Sequence, residues 1–359
     1  KNWCLHWSKR RRKLTRSKLV RQSDMTSKMV IALVGLGSGA LPHLRSLQDL
    51  KDRVELRYAF ARQPRADRIQ AYTGRVHLTD SLELILQDPE VHAVIVATPA
   101  STHLDICQRC FAAGKHVLLE KPLELNLERS TQLVELAAQS GLQLGVVLQH
   151  RFREASQVLH KLLIDGRLGE VQAASIRVPW WRSQAYYNEP GRGTLVRDGG
   201  GVLLTQAIHT LDLFRALVGI QSVKSAMVCQ TRLHQMETED YVSALLVLGN
   251  GAPGDLMATT AMYPGFPETI DIIGTLGSAR LTGGNLQVHF LEGAPVIISN
   301  EGGTGSGANP MDFSHEPHRE LITDFMQAIS EKRSPRVSGA DALKTQALIS
   351  ELLRLGQRL

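Results

Sequence analysis

A chain of 359 residues is too long for one small core and fits two domains at roughly 100–200 residues each. Hydrophobic residues at 43% and charged residues at 21% are an ordinary globular balance, with no run of about 18 apolar residues to cross a bilayer. The net charge of +6 does not describe a nucleic-acid-binding face: residues 1–28 carry ten Lys or Arg against one acid, Asp24, which leaves the rest at −3.

The basic leader contains "SKRRRKL", as a twin-arginine export signal does, but the polar "TRSKLVRQSD" stands where an apolar segment would follow. It reads as an extension ahead of the folded body. From Met29 the elements alternate. "MVIALVG" is a buried strand, "ALPHLRSLQDL" a helix, "VELRYAFA" a strand and "PRADRIQAY" a helix. "SLELILQD" is helical, "VHAVIVATP" a strand, "THLDICQRCFAAG" a helix and "KHVLLEKP" a strand. "ERSTQLVELAAQSG" is a helix ending at Gly141, and "LQLGVVLQ" is a strand. Alternation of this kind builds a parallel sheet over residues 29–150.

Past residue 150 the pattern changes. A helix, "REASQVLHKLLIDG", leads into the strand "EVQAASIRVPWW". A helix from about Val202 to Leu217 follows, then several strands in succession, with "GTLGSARL" as a hairpin. Two helices near 314–330 and 340–355 close the chain. Residues 151–359 therefore read as a second α/β domain with a large, mostly antiparallel sheet. The loop "NEGGTGSGANP" has few side chains to pack and is expected to be mobile. Cys107 and Cys110 fall on one helix as small core residues, which suits a reducing, cytoplasmic compartment and no metal.

The first strand runs into Gly35-Leu36-Gly37-Ser38-Gly39-Ala40, the G-x-G-x-x-G/A pattern at a strand–turn–helix junction. The first glycine allows the turn, the second lets a pyrophosphate approach, and Ala40 lets helix and strand pack closely. Amides at the helix start then face the anion. The second strand ends in Ala61 and Arg62, with Arg65 beyond and no acid to bind a ribose 2′-hydroxyl. NADP is therefore favoured over NAD. Glu120-Lys121-Pro122 ends a parallel strand, at the edge where such sheets bind ligands. In "DGGGVLLTQAIHTLDLF", Asp198 and three glycines precede a helix. On it His209 shares a face with Asp212 and with Thr205 one turn earlier, and the glycines leave room for a ligand at the helix start.

With these residues in place the chain resembles the Gfo/Idh/MocA family of NAD(P)-dependent oxidoreductases from Met29 onward. The resemblance is carried by the glycine turn, "VATPASTH", "GKHVLLEKP", "HRF", "DGRLGEV", "DGGG…IHTLD", "IIGTLGSARL" and "FMQAISEKRSPRVSGADALK". It implies a Rossmann domain, then a domain whose open sheet forms a homodimer or homotetramer interface. It also implies hydride transfer to or from a sugar or polyol carbon, with no nucleic-acid or membrane partner. Lys121 and His209 become the catalytic pair. Thr98, Pro99, His103 and Glu120 join the glycine turn and Arg62 around the cofactor, and Gln149, Arg182, Tyr187 and Thr205 join His209 around the substrate. Within the family, "WWRSQAYYNEPGRGTLVRDGGG" is most similar to members acting on nucleotide sugars, such as UDP-N-acetyl-2-amino-2-deoxyglucuronate 3-dehydrogenases. Those members carry Trp at the positions of Gly191 and Leu195, and the family usually has Asp or Asn at Thr205. An inositol or polyol dehydrogenase, and a catalytically silent cofactor-sensing regulator, are the alternatives. Retention of Lys121 and His209 weighs against the regulator.

Overall fold

A computed structural model describes residues 28–300 and 302–356; the leader, apart from Lys28, lies outside the described residues. Six parallel strands form the first sheet: β1 (Met29–Val34), β2 (Val54–Phe60), β3 (His77–Thr79), β4 (Ala93–Val96), β5 (His116–Leu119) and β6 (Leu144–Val146). Their order is β3-β2-β1-β4-β5-β6, so the chain reverses direction across the sheet between β1 and β4. A crevice at the carboxyl ends of those two strands is where such sheets hold a dinucleotide. All six residues of β1 are buried, as a strand covered on both faces requires. Helices α1 (Ala40–Asp49), α2 (Leu82–Gln87), α3 (His103–Ala112) and α4 (Leu127–Ser140) supply the covering layers. α4 starts at Asn126, whose side chain accepts from the Arg129 amide, and stops at left-handed Gly141.

The helix expected over "PRADRIQAY" is one 3₁₀ turn, Ala66–Ile69, with no buried residue: it has no apolar stripe to pack. The strand β3 beside it has three residues and no readable alternation.

The second sheet has eight strands: β7 (Val171–Pro179), β8 (Ile220–Cys229), β9 (Tyr241–Leu248), β10 (Pro253–Thr259), β11 (Thr269–Gly274), β12 (Gly277–Thr282), β13 (Asn285–Phe290) and β14 (Val296–Ile298). Their order is β14-β13-β12-β11-β7-β10-β9-β8, and every pairing is antiparallel except β7 with β10. One face is covered by helices α5 (Glu154–Ile164), α8 (Ile208–Val218) and α10 (Gly339–Gly356). The other face is open. It carries Met227, Leu245, Ile273 and Ile297, all more than half exposed, between the ion pairs Arg177–Asp255 and Arg280–Asp271. Two short helices, α6 (Gln184–Tyr187) and α7 (Leu195–Asp198), lie between β7 and α8.

The segment Leu195–Val218 reaches the length and mean hydropathy of a membrane span although polar and charged residues interrupt it; 72% of its apolar window is buried, as in a core helix. The last two helices also pack on elements of the first domain. Helix α9 (Glu316–Glu331) packs on α1 and β5, and α10 packs on both α4 and β8. Within the loop expected to be mobile, the carbonyls of Gly305 and Gly307 accept from Arg182 at 2.8 and 2.7 Å.

Candidate active site

The glycine turn sits at the β1–β4 crevice. Gly35 has φ +103°, its amide donates to the Phe60 carbonyl at 2.9 Å, and a Cβ there would collide with the Ala97 carbonyl. This glycine is demanded by the protein itself. Gly37 and Gly39 differ: a Cβ on either meets nothing within 4 Å. Ser38 is exposed and Leu36 buried. Gly39 begins α1 without a side-chain cap, and no described protein group accepts from the amides of residues 36–39. Free amides and open space at a helix start fit a pyrophosphate. At the end of β2, Arg62 is exposed with no hydrogen bond to a described residue, whereas Arg65 is paired with Asp67 at 2.8 Å.

The ends of β4 and β5 form the next wall. Thr98 accepts from the Thr102 hydroxyl at 2.8 Å, and Pro99 leads into a 3₁₀ turn. His103, named as a cofactor contact, is fully buried instead. Its ring lies between the Thr98 carbonyl at 2.9 Å and the Pro122 carbonyl at 3.0 Å, so it braces the two loops. The Lys121–Pro122 bond is cis. Lys121 Nζ donates to the Thr205 carbonyl at 2.8 Å and forms no ion pair with a described residue. Burial lowers its pKa, against the pull of neighbouring Glu120.

His209 projects from α8 into the same cleft. Its Nδ1 is buried with no partner among the described residues, which leaves Nε2 as the nitrogen facing the opening. Burial first, and then the Lys121 charge, hold the imidazole well below its ordinary pKa and therefore neutral.

Several expected roles move. The turn before α8, Leu203–Ala207, is π-helical, so Thr205 and His209 are not stacked as they would be in an α-helix. The Thr205 hydroxyl donates to the Gly201 carbonyl at 2.7 Å; its carbonyl, not its hydroxyl, serves the site. Of the two roles open to Asp212, orienting His209 or anchoring the helix, its contacts fit the anchor. It is buried against Arg151 at 2.5 Å and Thr345 at 2.7 Å, and fastens α8 to α10. The glycine run before the helix leaves no room for a ligand: a Cβ on Gly199 or Gly201 would strike the Leu125 or Glu239 backbone. The Glu239 carboxylate caps the helix start, accepting from the amides of Gly201 and Leu203 at 2.9 and 3.2 Å.

Arg182 and Tyr187 were expected to touch substrate, and both are buried anchors. The Arg182 guanidinium donates to Gln206 and to the carbonyls of Trp181, Gly305, Ser306 and Gly307. The Tyr187 hydroxyl shares a hydrogen bond with Thr260 at 2.7 Å. Gln149 is buried with its Oε1 unpartnered and lines a cavity of about 440 Å³ with Arg153, Asn300 and Phe313. The sequence reading missed Arg192, whose guanidinium lies 4.2 Å over the Tyr186 ring and donates to the Tyr186 hydroxyl at 2.8 Å. It also missed His43, 2.8 Å from Glu120. The "GRGT" stretch held the first signal; the second is hidden in an ordinary amphipathic helix.

Comparison with known proteins agrees with this geometry. Residues 29–148 match an oxidoreductase family with an NAD-binding Rossmann fold, GFO/IDH/MocA, and residues 156–280 match the C-terminal domain of the same family. The chain is 25% identical to inositol 2-dehydrogenase of Rhizobium meliloti over 334 residues, covering 90% of this chain and 95% of that one. Among solved structures, the WlbA dehydrogenase of Bordetella pertussis in complex with NADH and UDP-GlcNAcA aligns with a TM-score of 0.78 at 26% identity, covering 92% of this chain and 97% of that one. Levoglucosan dehydrogenase shares the fold, with a TM-score of 0.80 at 21% identity. With both of its domains matched in order, the chain belongs to the Gfo/Idh/MocA family of NAD-binding oxidoreductases.

Proposed function

We propose that this protein is a dehydrogenase or reductase acting at a secondary alcohol or ketone carbon of a nucleotide sugar, with Lys121 and His209 handling the proton. One observation carries the reading: a lysine ammonium with no carboxylate in contact and a neutral histidine with its Nε2 uncovered line one cleft at the ligand edge of the sheet. Bound nicotinamide supplies the hydride acceptor or donor; the protein supplies the rest. The amides of residues 36–39 hold the pyrophosphate. Lys121, oriented by the Thr205 carbonyl, donates a charged hydrogen bond to the developing alkoxide. In the oxidising direction neutral His209 accepts the hydroxyl proton at Nε2, and in the reducing direction it returns one.

The nucleotide-sugar assignment is supported by similarity to the WlbA dehydrogenase, whose structure holds NADH and UDP-GlcNAcA. Similarity to inositol 2-dehydrogenase favours the second reading, a neutral polyol. Unpaired Arg62 supports NADP over NAD through its match to a 2′-phosphate. The open sheet face, with Met227, Leu245, Ile273 and Ile297, supports a homo-oligomer. The compartment that fits unpaired, buried Cys107 and Cys110 is the cytoplasm.

The test is a screen of nucleotide sugars, sugar acids and neutral polyols for changes in cofactor absorbance, followed by Lys121→Met and His209→Asn with the best substrate. Each variant is expected to lose turnover by roughly 10²-fold or more while keeping dinucleotide affinity. Full turnover in both would overturn the catalytic assignment and return the sensor reading.

A further inference from the structure

The charge on Lys121 has few supports. The groups facing it are Glu120 on its own strand end, Arg182 and Arg192 from the segment after β7, Asp198 at the end of α7, and the imidazoles of His209 and His150. Only Glu120 and Asp198 among these carry negative charge. Asp198 is already engaged, accepting from the Gly193 amide at 2.7 Å. Glu120 is the stronger of the two, so its state weighs on how readily Lys121 stays protonated.

Glu120 has a side chain only 17% exposed, and a carboxylate so placed stays ionised only where donors reach it. Two reach it. The Lys121 amide donates to Oε2 at 3.2 Å, and His43 Nε2 donates to Oε1 at 2.8 Å. His43 comes from α1, outside every motif that marks the site, and is fully buried. Because the partner is a carboxylate, the His43 proton belongs on Nε2, which leaves Nδ1 bare. Nδ1 has no partner among the described residues. A buried nitrogen without a partner is destabilising, and an apolar side chain of the same size would avoid that cost. The histidine therefore has a use beyond filling space. His318, from α9, meets the His43 ring edge-on at 5.4 Å between centroids; burial pushes it down to about 3, so it is neutral and adds no positive charge beside Glu120.

We propose that His43 is a positioning residue for the chemistry at Lys121: its Nε2–H holds the Glu120 carboxylate ionised, and that carboxylate keeps the ammonium charged. The inference rests on the role given to Lys121 above. Its direction follows from the charges. Burial favours neutral Glu120, and the His43 hydrogen bond leads the interactions that together outweigh it; burial favours neutral Lys121, and Glu120 opposes it. Without His43, Glu120 protonates more readily, and Lys121 loses its proton at lower pH.

The test is the pH dependence of kcat in wild type, His43→Leu, His43→Gln and Glu120→Gln. Loss of a neighbouring opposite charge lowers an amine pKa by about one unit or more. In His43→Leu and Glu120→Gln the alkaline limb should move to lower pH by about that amount. Turnover at the wild-type limb should then fall about tenfold. His43→Gln keeps an N–H donor at the same reach and should restore the wild-type limb. The shift should also appear without catalysis, as acetylation of Lys121 beginning at lower pH in the cofactor-free protein, read by mass spectrometry. A purely structural role would lower kcat evenly at every pH. The proposal is overturned if the limb and the acetylation profile stay in place in Glu120→Gln, the variant least disturbing to packing. If Lys121→Met keeps its turnover, the catalytic reading itself has failed; if Lys121→Met is inactive and the limb does not move, only the role of His43 has.

Discussion

Two glycines two residues apart should fail for opposite reasons. Gly35 stands at φ +103° with the Ala97 carbonyl where its Cβ would go. In Gly35→Ala the left-handed backbone costs roughly 1–2 kcal/mol, and displacing β4 adds roughly 1–3 kcal/mol of overpacking. At about 2–4 °C per kcal/mol for a domain of this size, the sum lowers Tm by roughly 4–20 °C. Gly37→Ala meets no protein atom within 4 Å and should leave the cofactor-free Tm unchanged. Its methyl would instead stand where the pyrophosphate approaches the free amides. Losing one charge-assisted hydrogen bond of about 1.5–3 kcal/mol weakens dinucleotide binding by roughly 10- to 150-fold. Thermal melts with and without NADH, and NADH titration by fluorescence, separate the two effects. If Gly37→Ala binds NADH as the wild type does, the turn is not the pyrophosphate site. If it melts as early as Gly35→Ala, the space beside Gly37 is not open.

Arg62→Ala should weaken NADP binding by roughly 10- to 150-fold and spare NAD, the scale of a charge-assisted bond; equal affinity of the wild type for both removes the NADP preference. Arg182→Met strands the carbonyls of Gly305 and Gly307 in a buried setting and should lower stability by roughly 2–5 kcal/mol, measured by denaturant melts. The buried His234–Asp240 pair, 2.7 Å apart, brackets a pH range. Burial opposes a charge on His234, but the Asp240 carboxylate outweighs it and raises the pKa, so that stabilisation is full below the unfolded value of about 6.5 and is lost as pH rises through the folded value. Burial also opposes ionised Asp240, and His234 and Thr231 hold it low, so its contribution is present above about pH 4 and lost as pH falls through the folded value. His234→Phe should flatten the alkaline side of a Tm-against-pH curve; an unchanged curve refutes the coupling.

What could be read from the sequence follows contact range. The strands of the first sheet were legible because burial on both faces writes them as apolar runs, and Gly35, Lys121 and His209 stood out as candidates because strand ends and motifs mark them. Thr205 was misread because spacing arguments assume 3.6 residues per turn, and the π-helical turn breaks that phase. Arg182 was misread because its acceptors lie 123–125 residues further on, in a stretch whose own composition suggests nothing to hold. His43 was invisible because its partner is 77 residues away. Side-chain type reveals chemistry, but whether a group is free or already engaged depends on partners distant in the chain.

The return of α9 and α10 to the first sheet has a mechanical consequence. The chain leaves the nucleotide-binding layer after β6 and comes back to it ahead of α9, so two separate crossings join the walls of the cleft. A body held by one strap can swing and twist freely; one held by two turns mainly about the line between them. Helix α10, seated on α4 at one side and β8 at the other, stiffens that line. Any relative motion of the two domains, one carrying Lys121 and the other His209, would thereby be confined to a narrow set of rotations.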